Sequence, residues 1–185
     1  MTSATHPTWA AGVLAFWFEE CTPEQWFKRD DAFDQVLRDR FADLHATVAA
    51  MSIEACVADV ETALAATIVL DQFSRNMLRG TPAAFANDAK ALAIAQAAVQ
   101  RGFDQSLPDA RRQFFYLPFE HAEDSSIQAR SVALFAHLGP EALRWAEAHK
   151  VIIDRFGRFP HRNAALGRVS TPEETAFLRE PNSSF

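Results

Sequence analysis

The chain has little of what several protein classes require. Only two cysteines occur in 185 residues, Cys21 and Cys56, far apart and with no CxxC pair. That excludes a disulfide scaffold and a cysteine zinc site, and two reduced, buried thiols in the cytoplasm are expected. Glycine is scarce, with six residues, no Gly-rich hairpin turn is visible, and no segment alternates apolar and polar residues with period two, so no sheet is expected. The apolar run from Trp9 to Phe18 has no basic flank or small-residue cleavage site and falls short of the roughly 20 residues of a membrane span, so neither secretion nor a membrane anchor is expected. Basic charge is also in deficit. The net charge of -6 argues against a surface devoted to nucleic acid, although a local basic patch is compatible with it.

What the chain has is helical periodicity. Phe33, Leu37, Phe41, Leu44, Val48 and Met51 follow one another at spacings of three and four, as do Ile53, Val57, Val60, Leu64 and Ile68. Thr22-Pro23-Glu24-Gln25 and Thr171-Pro172-Glu173-Glu174 have the order of a capping hydroxyl, Pro at the first helical position and an acid or amide that reaches back to the cap. Thr81-Pro82 opens a helix in the same way, and Gly102, Gly139 and Gly157 suit C-terminal caps. The reading is helices near 8–20, 23–28, 30–50, 52–78, 82–101, 109–122, 125–138, 140–156 and 172–179, with a kink or break at Pro118. It implies a single all-α domain over residues 1–185, flexible at 1–7 and 180–185, in which antiparallel helix pairs stack as an α-solenoid or compact bundle. The crowd of Phe16, Trp17, Phe18, Trp26 and Phe27 reads as aromatic core.

Three polar clusters interrupt the apolar stripes. Asp71 and Arg75 continue the stripe of Leu64 and Ile68 and can pair four apart, with Gln72, Asn76 and Arg79 beside them. A surface helix end and a polar cleft both account for them. Glu120, His121, Glu123 and Asp124 follow the Pro118 position and suit a metal, a general acid and base, or solvated helix-end charges. His121-Ala122-Glu123 also matches the first piece of the zinc deaminase signature, but the Pro-Cys-x-x-Cys piece is missing, and that reading is rejected. In the third cluster Arg155, Arg158, His161 and Arg162 alternate with Phe156 and Phe159 around Gly157. Five basic residues and one acid lie between Lys150 and Arg168. Arginine forks suit carboxylate or phosphate, and they equally suit the acids at 120–124 and the open carbonyls of a helix end. His149, on the stripe of Trp145, Ile152 and Phe156, reads as a hydrogen-bonded core histidine.

The segments Leu70-Asp71-Gln72-Phe73-Ser74-Arg75-Asn76, Arg79-Gly80-Thr81-Pro82, Tyr116-Leu117-Pro118-Phe119-Glu120-His121-Ala122-Glu123-Asp124, Arg155 to Asn163 and Ser170-Thr171-Pro172-Glu173-Glu174, with Val13 to Phe18, resemble the bacterial domain of unknown function 924 family. The resemblance covers nearly the whole chain and implies a tetratricopeptide-like helical fold without an established activity. Ser74 stands where the family commonly has Pro, and Ala122 where Ser is expected.

The leading functional expectation is a polar groove that binds an anionic small molecule or peptide carboxylate, lined by Asp71, Arg75, Arg79, Glu120, Glu123, Asp124, Arg155, Arg158, His161 and Arg162. The alternative is an enzyme acting on a small anionic substrate, with His121, His161 or Glu120 as acid–base group and the arginines stabilising negative charge. No nucleophile elbow, phosphate loop or helical zinc motif is present, and no metal or cofactor is expected. Oligomeric state is not legible.

Overall fold

The computed structural model describes residues 7–181 and 183–184, and every regular element among them is helical. Two compact units divide the chain: an N-terminal one of residues up to Arg79 with Ala83–Pro118, and a C-terminal one of Gly80–Pro82 with the residues from Phe119 onward.

In the N-terminal unit, α1 (Thr8–Ala15) widens into a π-helical turn at Phe16–Glu20, and α2 (Pro23–Phe27) starts at the expected Thr22–Gln25 capping box. The longest helix, α3 (Asp31–Ala50), is capped by Asp30, whose carboxylate accepts from the Ala32 and Phe33 amides. It buries Phe33, Leu37, Phe41 and Val48, the stripe read from the sequence. The single helix expected over 52–78 is instead α4 (Ile53–Cys56), α5 (Val60–Thr67), a π-helical turn (Ile68–Phe73) and α6 (Ser74–Met77). The break has a local cause. Asp59 takes an extended conformation and caps α5 through the Thr62 amide and hydroxyl, and Arg101 satisfies the carbonyl freed at Val57. The helix expected from 82 likewise begins as a 3-10 turn (Pro82–Phe85) and becomes α7 only at Asp88–Gln100.

α1 and α7 pack against α5, and α6 packs against α3. Phe73 is fully buried, with its ring centroid 5.0 Å from Phe41 and 5.4 Å from Trp17. Each such ring contributes about 2–3 kcal/mol by leaving water. Cys21 and Cys56 are buried free thiols, and burial pushes Cys21 up to about 11.

Helix α8 (Asp109–Glu120) does not break at Pro118. The proline stands two residues from the helix end, so its missing N–H leaves only the Phe114 carbonyl without its usual partner. The C-terminal unit continues with α9 (Ser125–Phe135), a 3-10 turn (Ala136–Leu138) and α10 (Pro140–Phe156). α9 and α10 pack together, joined through Gly139 at φ +104°, a conformation that favours glycine. Gly157, left-handed at φ +68°, ends α10 as expected. A 3-10 turn (Pro160–Arg162) and α11 (Pro172–Phe177) follow. Ile152, Ile153, Phe159 and Phe177 form the core of this unit.

Of the termini expected to be flexible, residues 1–6, 182 and 185 lie outside the described residues. The Ser183 hydroxyl donates to the Leu178 carbonyl, and Pro7 accepts from the Ala10 amide.

Candidate functional site

The first polar cluster belongs to the N-terminal unit and is closed on itself. Arg75 forks onto Asp88 at 2.9 and 3.0 Å and lies 3.1 Å from Asp71, the pair read from the sequence. Arg79 forks onto Asp34, which also accepts from Asn76 at 2.8 Å. Gln72 donates to Asp71 at 2.6 Å. Asp34 on α3 and Asp88 on α7 carried no linear signal, because each meets its arginine across a helix–helix contact. Ser74 explains its own departure from the family pattern. Its hydroxyl donates to the Leu70 carbonyl and meets His45 Nε2 at 2.7 Å, neither of which a proline could do.

The second and third clusters meet in the C-terminal unit. The expected anion-binding arginines are largely engaged by carboxylates of the chain itself. Arg158 forks onto Glu174 at 2.6 and 2.8 Å, and Glu174 is at the same time the capping-box acid of α11. That fork, with the Thr171 amide, holds Glu174 down at about 2. Arg168 forks onto Glu123, which also accepts from the Phe159 amide at 2.8 Å. Burial works to raise Glu123, but the Arg168 hydrogen bonds, the Phe159 amide and the charges of Arg162 and Arg168 prevail and lower it. Arg155 meets Glu173 at 3.0 Å on the surface. An open depression lined by Arg155, Phe156, Arg158, Thr171, Glu173 and Glu174 therefore carries balanced charge. Asp124 is the N-cap of α9, accepting from the Ser126 and Ile127 amides.

A deeper group is arranged about Phe159. The Arg162 guanidinium lies 4.5 Å from the centre of that ring and donates to the His121 carbonyl at 2.9 Å. His149 and His161 stand edge-on and tilted to it at 5.7 and 5.6 Å, and His121 is 6.3 Å from His149. Glu120 and His149 are about 5% exposed and Arg162 6%, whereas His121 and His161 are half-buried. His149 Nδ1 donates to the Trp145 carbonyl at 2.9 Å and lies 3.5 Å from Glu120 Oε1, too far for a good hydrogen bond. Burial, opposed by the Trp145 hydrogen bond and reinforced by His121, His161 and Arg162, brings His149 down to about 3. The core reading of His149 agrees with this, and the ring is neutral at physiological pH. Among the described residues no three His, Cys, Asp or Glu side chains are placed to hold a metal ion.

Two buried polar residues of the C-terminal unit escaped sequence reading. Gln128 and Ser131, both fully buried on α9, stand on the stripe that continues to Leu134 and Phe135. Polar residues at apolar positions were the signal that marked Asp71 and Arg75, and it was present here too. Gln128 Nε2 donates to the Glu120 and Ala122 carbonyls at 2.6 and 2.8 Å and so ties α9 to the end of α8.

The segments that carry the family resemblance thus supply Glu120, His121, Phe159, His161 and Arg162 to one group. A family model described as "Bacterial protein of unknown function (DUF924)" matches residues 13–182. A solved structure of a protein of unknown function, ATU0120 from Agrobacterium tumefaciens, is 44% identical, with 92% of this chain and 96% of that chain covered and a TM-score of 0.87. No curated protein matches. No described helix is long and apolar enough to cross a membrane. The chain belongs to the bacterial protein family of unknown function DUF924.

Proposed function

We propose that this protein binds a small anionic molecule or peptide carboxylate at the group around Phe159, with Arg162 as the anion's principal partner and His121 and His161 beside it. The observation that carries this reading is the depth and chemistry of the group. Glu120, His149, Arg162, Gln128 and Ser131 all lie in the interior, where apolar residues of the same volume would serve stability better. Arg155, Arg158 and Arg168 meet Glu173, Glu174 and Glu123. The test is native followed by denaturing mass spectrometry of protein purified from a bacterial host. A non-covalent mass lost on unfolding is expected, reduced at least tenfold by Arg162→Lys, which keeps the charge and loses the fork. Exposed Arg130→Ala should leave it unchanged. Retention of the same mass by Arg162→Lys, or a bare protein mass at low salt, would overturn the reading.

The enzyme alternative draws on one observation, the three imidazoles gathered beside a buried carboxylate. His149 is too weak a base for that role at neutral pH, so His121 and His161 carry it. Turnover of the retained molecule, lost on His161→Asn, is its expected outcome.

We further read the fold as tetratricopeptide-like helix pairs in one cytoplasmic domain. Support comes from the short helix connections and from the two free thiols. One cooperative urea transition is then expected, with far-UV dichroism and tryptophan fluorescence sharing a midpoint. Since Trp9, Trp17 and Trp26 report on the N-terminal unit, two separated midpoints would contradict a single domain.

A further inference from the structure

We propose that the depression between the end of α10 and the start of α11 is a docking site for an acidic peptide segment, with Arg155 receiving the carboxylate. It is a different place from the group about Phe159: an open cavity of about 390 Å³ lined by Arg155, Phe156, Arg158, Thr171, Glu173 and Glu174. The chain uses only part of each guanidinium there. Arg155 donates through Nε to Glu173 at 3.0 Å, and its Nη1 and Nη2 make no hydrogen bond with any described residue. Arg158 gives Nε and Nη2 to Glu174, with Nη2 also reaching the Val169 carbonyl, and keeps Nη1 unbonded. The Thr171 hydroxyl accepts from the Glu174 amide, so its proton is left to donate. Charge in the depression balances, but hydrogen-bonding capacity does not. Glu174 is occupied by Arg158 and the Thr171 amide, so the remaining donors face a single competing carboxylate, that of Glu173.

Arg40 of the N-terminal unit is the closed version of this arrangement. Its side chain is 44% exposed and its guanidinium lies 4.5 Å from the centre of the Phe16 ring, yet Nη1 and Nη2 are both taken by Glu20. Arg155 is 42% exposed and has the same kind of aromatic seat, 4.6 Å from Phe156 and 5.7 Å from Phe177, but its outer edge is open. The two rings and Glu173 hold the guanidinium in place before a ligand arrives, which lowers the ordering cost of a two-pronged bond to carboxylate. An open cavity leaves most of a free small anion in water, whereas a peptide adds contacts beyond the rim. The rim offers them. Val169, whose carbonyl meets Arg158, is 87% exposed, and Val151, one turn before Arg155 on α10, is 63% exposed. A carboxylate flanked by apolar side chains matches this surface.

NMR titration of the full chain at low salt with three short peptides tests this: a capped peptide alternating glutamate and valine, its capped glutamine counterpart, and that counterpart with a free C-terminal carboxylate. The glutamate peptide should shift the Gly157, Arg158, Thr171 and Glu173 amides saturably, and the capped glutamine peptide should not. The same shifts from the third peptide alone would support the site equally and name the chain end as the source of the carboxylate. Arg155→Gln should weaken binding about fivefold, and Glu173→Gln, which removes the competing carboxylate, should tighten it about twofold. Arg155 and Glu173 form an exposed pair, so neither variant should move Tm appreciably. Absence of saturable shifts with both carboxylate peptides, or an affinity unchanged in either variant, overturns the inference. The retained-mass experiment on Arg162 decides the proposed function separately.

Discussion

Asp34→Ala should destabilise the protein by about 3–5 kcal/mol, with a Tm lower by on the order of 10 °C. Asp34 is 2% exposed and receives three hydrogen bonds: one from buried Asn76 and two from Arg79, whose side chain is one-third exposed. Alanine returns none of them. It leaves a buried amide and a guanidinium facing an apolar methyl, and that loss exceeds anything the pair contributes when intact. Lys28→Ala is the contrast. Lys28 and Glu24 form an i,i+4 pair whose side chains are 70% and 75% exposed, and its removal should cost less than about 1 kcal/mol. Urea unfolding of both variants measures the difference; an Asp34→Ala midpoint close to wild type would show that Arg79 and Asn76 find other partners.

This contrast separates the two polar regions. In the N-terminal cluster Arg75 is forked on Asp88 and Arg79 on Asp34, and the arrangement is that of a helix-bundle fastener. In the C-terminal unit Arg158–Glu174 and Arg168–Glu123 do the same work, holding the Arg155 to Asn163 segment against α11 and the turn after α8. The group about Phe159 differs in kind, with buried Arg162 held against an aromatic ring and buried His149 bonded to the Trp145 carbonyl.

Much of the fold was legible because its signals are local. The Thr22 and Thr171 capping boxes, the Gly157 terminator and the Phe33 to Val48 stripe are each contained within a few turns, and each stands where the sequence put it. The break at Val57 was not legible, since the periodicity of Ile53 to Ile68 runs through it; an Asp59 cap and a long-range Arg101 bond overrode it. At Pro118 the helix runs on to Glu120 without the break that was one of the two expected outcomes, because the cost of an interior proline shrinks near a helix end. For the site, residue types in three short windows located the polar clusters. Which arginine would meet which carboxylate depends on contacts such as Arg79 with Asp34 and Arg168 with Glu123, both 45 residues apart, and no spacing rule reaches that far.

Stability should fall steadily as pH drops from 6.5 toward 4.5, and His149 should account for most of that slope. In the folded chain its proton affinity is suppressed to about 3, and in the unfolded chain it returns to the ordinary 6.5. Above pH 6.5 both states hold the neutral ring and stability is complete. Below it the unfolded state takes up a proton that the native state refuses, so stability declines by about 1.4 kcal/mol per pH unit, roughly 2 kcal/mol by pH 5. The decline ends near pH 3, where the native ring also protonates. Glu123 and Glu174, both lowered from 4.5, add losses of the same sign only at lower pH, which leaves the window above 4.5 to histidine. His45, lowered by burial in the N-terminal unit, contributes in the same direction, so the comparison must be made against a variant. His149→Gln supplies it, since the glutamine amide can still donate to the Trp145 carbonyl and does not titrate. Urea midpoints at half-unit steps from pH 8 to 4.5 should show a flatter profile for His149→Gln than for wild type. An unchanged slope would mean that His149 is protonated in the folded state and that Glu120, 3.5 Å from its Nδ1, outweighs burial. In that case the ring would be a cation over the same pH range.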